Sequence, residues 1–150
     1  MNYTIISGGQ TGIDQIALEQ AVKISLSTGG TACKGWLTET GPEPELLKSY
    51  GLSECLKPGY PARTAENVNN SDVTLIFSEQ LSPGSKLTIK ECIKYNKPYI
   101  LNPTCDQAVR LITDNAAKVI NFAGSRGSRL KQPEYYKVII QKIMMALKGR

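Results

Sequence analysis

Close to the N-terminus, Tyr3-Thr-Ile-Ile-Ser-Gly-Gly-Gln-Thr-Gly-Ile-Asp14 passes from an apolar, β-branched run through glycines into sequence of helical period. That is a strand, a tight loop and a helix N-terminus, a unit that needs a sheet with a helix packed on it. Gly8, Gly9 and Gly12 let the backbone turn sharply and let a ligand come close. The first N–H groups of the helix have no partner within it, and such a corner binds anions, phosphate above all. The amides from Gly9 to Gly12 and the Thr11 hydroxyl are therefore the expected first phosphate contact, with Gln10 in the same loop. Asp14 falls in the first helical turn, where a carboxylate complements the helix dipole or simply caps. The loop is neither the G-x-G-x-x-G fingerprint nor a P-loop, because no Gly-Lys-Ser/Thr follows. A tight turn that binds nothing is the bland alternative.

A chain of 150 residues is expected to form one domain, residues 1–150, with a substantial core. With 41% apolar and 21% charged residues it reads as soluble and globular. No apolar run approaches the roughly 20 residues that cross a bilayer. Met1-Asn2 leads straight into strand-like sequence without a basic region or cleavage site, so the cytoplasm is expected.

Chemistry is narrowed by what the composition omits. The chain has no histidine, and Cys33, Cys55, Cys92 and Cys105 are widely spaced with no C-x-x-C pair. A zinc site and a Cys-His nucleophile are thereby excluded and no metal is expected; the thiols read as buried and free. Catalysis, if any, would rest on carboxylates, lysine, tyrosine or a bound metal. The net charge of +5 is scattered, except for Arg126, Arg129 and Lys131 in one loop and Lys148/Arg150 at the end. That pattern fits a local anion site better than a nucleic-acid track.

After the first loop, Ile13, Ile16, Ala17, Ala21 and Ile24 share one helical face. Ser27–Ala32 reads as a short connection or strand, and Lys34–Lys57 as a long polar loop of functional type, with a short helix near Glu43–Tyr50. A helix is expected over Thr64–Asn70, capped at Thr64, and a buried strand over Asp72–Phe77. Ser82-Pro-Gly-Ser85 forms a second glycine corner that opens a helix over Lys86–Tyr95, with Ser85 in the cap position. A strand over Lys97–Leu101, a helix over 106–115 and a strand over Lys118–Ala123 follow. The last strand ends in Gly124-Ser-Arg-Gly-Ser-Arg129, and Pro133 starts a terminal helix. Its stripe of Tyr136, Ile140, Ile143 and Leu147 is broadened by Val138, Ile139, Met144 and Met145. Either a subunit interface or a deeply wedged helix accounts for that width.

Continuous apolar strands alternating with helices specify an α/β fold, an open parallel sheet with helices on both faces. Right-handed crossovers place the loops after the strands along one edge, where ligands bind. The Gly8–Gly12 loop, the Gly84/Ser85 corner and the Gly124–Arg129 loop should then face one cleft.

Eight ordered pieces of sequence sharpen this: Ser7-Gly-Gly-Gln-Thr-Gly-Ile-Asp14, Lys34-Gly35, Glu39-x-Gly41, Arg63-Thr-x-x-Asn67-Val68, Ser71-Asp-x-Thr-Leu-Ile76, Gly84-Ser-x-x-Thr88, Lys97-Pro98 and Asn121-x-Ala-Gly-x-Arg126. In that order they resemble the putative molybdenum carrier family, within the Rossmann-like superfamily that includes the lysine-decarboxylase-like phosphoribohydrolases. The resemblance implies an open Rossmann-like sheet, a homo-oligomer (dimer or tetramer), and a cleft credited in some members with holding molybdenum cofactor, a phosphate-bearing pterin. In the wider superfamily the ligand is a nucleotide. The chain departs from the family pattern at Cys33, Thr40, Val73 and Ser125, which alters the pocket while leaving the phosphate loop intact.

Two functions follow. The first is a binding or carrier protein for a phosphorylated heterocycle, molybdenum cofactor or a nucleotide. Its contacts would come from Gly8, Gly9, Gln10, Thr11 and Gly12, from Gly84, Ser85 and Thr88, and from the cations Lys34, Arg63 and Arg126. Trp36 would stack on the ring or act as a core lid, and Asn67 and Asp72 would serve as local caps or turn formers. The second is a nucleotide-processing hydrolase. The phosphoribohydrolases it resembles carry Pro-Gly-Gly-x-Gly-Thr-x-x-Glu, which Pro83-Gly84-Ser85 with Thr88 and Glu91 only approximates. Glu39 and Glu91 are the carboxylates that would serve it.

Overall fold

The computed structural model describes residues 2–150; Met1 lies outside them. Strand β1 (Thr4–Ile6) leads into helix α1 (Ile13–Lys23), then β2 (Ser27–Gly29) and β3 (Thr31–Ala32). Next come α2 (Pro44–Ser49), β4 (Ser53–Glu54), α3 (Tyr60–Asn69), β5 (Val73–Phe77) and α4 (Pro83–Lys94). The chain closes with β6 (Tyr99–Leu101), α5 (Cys105–Asp114), β7 (Val119–Gly124), a 3₁₀ turn at Gly127–Arg129 and α6 (Pro133–Lys148).

Five strands form one sheet in the order β2-β1-β7-β5-β6, every pair parallel. β5 pairs β7 with Leu75 opposite Phe122, and β1 pairs β7 with Ile5 opposite Ile120, which makes one face of the centre aliphatic and aromatic; the other carries Ile6 and Ile76 beside Asn121, whose Nδ2 donates to Thr74 Oγ1 at 3.3 Å. β3 and β4 make a separate parallel pair. Helices α1, α5 and α6 cover one face; there Ile112, Ile140, Ile143 and Met144 meet Leu75, Phe77, Ile120 and Phe122 in the main core. Helices α3 and α4 pack together on the other. This is the Rossmann-like α/β architecture expected from the alternation of elements.

The order has a further property. If β7-α6 is counted ahead of β1, the sequence numbers become 3-2-1-4-5, the arrangement of dinucleotide-binding sheets. The reversal of winding direction then falls between β7 and β5.

Several boundaries differ from the sequence reading, each for a local reason. Helix α3 starts at Tyr60, four residues before Thr64, because Pro61 suits a first helical turn. Helix α4 starts at Pro83, and its N-cap is Ser82, whose Oγ accepts from the Ser85 amide at 3.1 Å; Ser85 is inside the helix. The long polar segment is partly ordered, since Leu47 and Leu52 join Leu18 and Ala32 in a second small core with Trp36 and Tyr50 against it. Asn67 and Asp72 are not local caps. Asn67 bridges α3 to β3, accepting from the Thr31 amide at 2.8 Å and donating to the Thr31 carbonyl at 2.9 Å. Asp72 accepts from the amides of Lys118 and Val119 at the start of β7, and those hydrogen bonds hold its carboxyl below the usual range.

Candidate functional site

The ends of β7 and β5 open onto a cleft of about 350 Å³. Ala123, Gly124, Arg126 and Arg129 form its β7 side, and Ser82, Pro83, Gly84, Leu87 and Thr88 its α4 side. Gln10 and Asp14 come from the β1 corner, and Tyr60, Pro61, Arg63 and Thr64 from α3. All three glycine corners therefore reach one cleft, at the place where the winding direction reverses.

At its floor Arg63 Nη1 lies 3.7 Å from Asp14 Oδ2, with side chains 13% and 5% exposed. The guanidinium lies directly on the backbone of Gly8, where a Cβ would run into it, and its carbon sits 5.3 Å from the centre of the Tyr60 ring. Yet Arg63 Nε is buried without an acceptor among the described residues. A guanidinium so held keeps unused donor capacity in a desolvated place, where an acceptor arriving in the cleft gains most. Burial outweighs Arg63 and the Gln10 and Gly8 amides in setting the Asp14 carboxyl, and pushes its pKa up to about 6.

The first glycine loop is differently occupied from the sequence reading. Gly9 donates to Ser7 Oγ, Gln10 to Asp14 Oδ2, Thr11 to the Gln10 side chain and Ile13 to the Ser125 carbonyl. Thr11 Oγ1 accepts from the Gly127 amide at 3.1 Å. Asp14, Ser7 and Gln10 thus each take one of the amides that a phosphate would use, and the loop locks against the β7 corner. Gly12 has φ +88°, and a side chain there would meet the backbone of Ser125 to Gly127. Gly12→Ala should cost at least about 2 kcal/mol in backbone strain and clash, lowering the unfolding midpoint by roughly 4–8 °C. An unchanged midpoint in a calorimeter would show that the two corners are not locked.

Of the residues expected to bind, Gln10, Arg63, Gly84, Thr88 and Arg126 line the cleft. Gly8, Gly9, Thr11 and Gly12 do not line it, Thr11 being exposed to solvent instead, and Ser85 is buried with its hydroxyl accepting from that of Ser82. Lys34 and Glu39 are exposed on the loop outside the cleft. Glu91 is buried on α4 below Thr88, and its Oε2 has no partner among the described residues. Trp36 stands behind Tyr60, ring centres 6.1 Å apart and edge to face, so the aromatic wall is Tyr60, held by Gln10 Nε2 at 3.2 Å from its hydroxyl.

Two more cleft positions were not among the expected contacts. Arg129 reads in the sequence only as part of a basic loop, and Tyr60 carries no signal beyond Gly59-Tyr-Pro, a helix start that projects Tyr60 from its tip. Among the described residues neither Arg126 nor Arg129 has a carboxylate within ion-pairing distance. Gly84, at the second position of α4, belongs to the turn whose N–H groups lack helical partners. Three guanidinium groups and a helix N-terminus outnumber the one carboxylate, Asp14, a combination whose chemistry suits an anion. Tyr60, Pro61, Pro83 and Leu87 give the cleft an apolar wall, flat enough to suit a ring.

Residues 5–144 match the model of the circularly permutated YpsA SLOG family. The strand order agrees with that description, since only transfer of the last strand and helix to the front yields 3-2-1-4-5. A solved structure, described as a putative molybdenum carrier protein from Syntrophus aciditrophicus SB, is 34% identical over 96% of this chain and 95% of that one, with a TM-score of 0.80. No curated protein matches the chain.

Proposed function

Because the chain belongs to the circularly permutated YpsA family of SLOG proteins, we propose that it binds and carries a phosphorylated heterocycle, with molybdenum cofactor the leading ligand and a nucleotide the next. One observation carries the reading: the buried, under-used guanidinium of Arg63 faces the same cleft as Arg126, Arg129 and the N-terminus of α4. The phosphate would lie against these groups and the ring against Tyr60. Molybdenum cofactor fits by its phosphate and its flat pterin. The cleft lining has no thiol, so the cofactor's own dithiolene would hold the metal while the chain holds the organic part. Among the described residues no helix is long and apolar enough to cross a membrane. Four free thiols suit the reducing cytoplasm, where we place the protein. The outward-facing Tyr135, Val138 and Met145 on α6 are the surface we assign to contact between copies.

The hydrolase reading keeps one specific support. Glu91, at the position of the glutamate in the phosphoribohydrolase signature, has a carboxylate oxygen without a partner among the described residues. Its distance from solvent and the missing glycines weigh against it.

Native mass spectrometry of freshly purified protein separates the two and gives the subunit number. The carrier should retain a phosphorylated heterocycle, return micromolar affinity or better for a pterin phosphate or nucleotide, and show no turnover. Release of free base from nucleoside monophosphates, abolished by Glu91→Gln, would replace it with the hydrolase.

A further inference from the structure

The sheet has two edges, and they are treated differently. At β2, Thr28 Oγ1 donates to the Tyr50 carbonyl at 2.8 Å and Gly29 lies under Gly51, so the segment after α2 covers that edge. At β6 the Thr74 amide donates to the Pro98 carbonyl at 3.0 Å and the Asn102 amide to the Ile76 carbonyl at 2.7 Å. In a parallel ladder this turns Ile100 toward β5 and leaves the N–H and C=O of Tyr99 and Leu101 pointing outward.

Side chains next to that edge form a matched surface. Ile100 packs into the core under α5, so Tyr99 and Leu101, 36% and 38% exposed, stand on the opposite face beside α4. Thr88 and Leu87 of α4 face the cleft, and the helix packs on α3 along that flank. Ile89 and Ile93 therefore lie on its other flank, away from α3 and the cleft, and Ile93 is 65% exposed. Lys86, Lys90 and Lys94 run at four-residue intervals along the outer ridge, all exposed. Between Gln80 and Thr104 the one acid is Glu91, and it is buried.

We propose that this edge receives an extended, acidic segment of a partner protein, which adds to β6 as a sixth strand of the sheet. Its backbone pairs with Tyr99 and Leu101, its apolar side chains lie on Leu101 and Ile93, and its carboxylates meet the lysine row. The charge decides among occupants. A second copy across a two-fold axis would set lysines against lysines, which is how edges are guarded against self-pairing. Nucleic acid would satisfy the lysines but leave the aliphatic side chains and the open strand edge unused.

The test uses the full-length chain with a short synthetic peptide of alternating glutamate and valine, a lysine–valine counterpart and a single-stranded oligonucleotide. The glutamate peptide should slow amide exchange of Tyr99 and Leu101 by about tenfold or more, with an affinity that falls as salt rises. Lys86→Glu with Lys90→Glu changes exposed positions only, so the fold, checked by circular dichroism, should stand while affinity drops about tenfold. Three results overturn the proposal: no protection at Tyr99 and Leu101, equal binding of the oligonucleotide, or protection already present in a self-associated protein without peptide.

Discussion

Arg63→Ala should abolish tight anion binding and destabilise the protein at once, and a second substitution should separate the two effects. Losing a desolvated, charge-assisted contact costs a ligand about 2 kcal/mol or more, a factor of at least ~30 in affinity. Removing the cation also leaves Asp14, 4% exposed, without a counter-charge. Stripping one partner from a buried pair commonly costs 3–5 kcal/mol. Here the figure should be nearer about 2 kcal/mol, because the ion pair is long and Asp14 can escape by taking up a proton. In Arg63→Ala with Asp14→Asn, the asparagine carbonyl can still accept from the Gln10 amide, as Asp14 does at 3.2 Å. Stability in urea at pH 7 should then return while ligand affinity stays lost. An Arg63→Ala protein that titrates a nucleotide with wild-type affinity in a calorimeter would remove Arg63 from the site, and the phosphate would have to be assigned to Arg126 and Arg129 alone.

That pairing also marks where the sequence stopped being informative. The parallel sheet was legible because Val73 to Phe77 and Val119 to Ala123 are apolar except for Thr74 and Asn121 and do not alternate regularly, as two covered faces require. The convergence of three corners was legible for a topological reason: right-handed crossovers leave each loop after a strand at the same end of the sheet. Residues within those corners were harder to rank. The amides of Gly9, Gln10, Thr11 and Ile13 look free in sequence, yet the side chains of Ser7, Asp14 and Gln10 and the Ser125 carbonyl take them, and no spacing rule says which way those groups turn. Asp14 could be read as a cap because its charge partner comes from a helix far along the chain. Trp36 drew attention as the larger aromatic, but its place in the small core with Leu47 and Leu52 leaves Tyr60 at the cleft. Helix α6 shows the same limit: Tyr136, Ile140, Ile143 and Leu147 are buried as their spacing requires, whereas Val138 and Met145 are exposed.

Asp14 should make both stability and ligand affinity depend on pH, in directions its environment fixes. Its pKa is about 6 in the folded chain against an ordinary 3.8, raised chiefly by burial. The folded state therefore holds more protons than the unfolded one between these values, and stability falls as pH rises through that window. At about 1.4 kcal/mol per unit the full loss is up to about 3 kcal/mol, complete a little above pH 6. Subtracting the unfolding free energies of Asp14→Asn from those of the wild type, pH by pH, isolates this component; a flat difference between pH 4 and 6 would contradict it. Binding adds a second shift of the same sign. An anion in the cleft places negative charge near Asp14 and draws Arg63 toward itself, so the pKa of Asp14 rises further and the complex takes up a proton. Affinity should be highest below about pH 6 and decline above it until the bound-state pKa is passed. The ligand's own phosphate also titrates near pH 6 and works in the opposite direction, so the measured quantity is the ratio of wild-type to Asp14→Asn affinity, in which the ligand's titration cancels. Calorimetry at pH 6.5 in two buffers of different ionisation enthalpy should report net proton uptake in the wild type exceeding that of Asp14→Asn, and equal uptake would mean that the anion settles away from the Asp14–Arg63 pair.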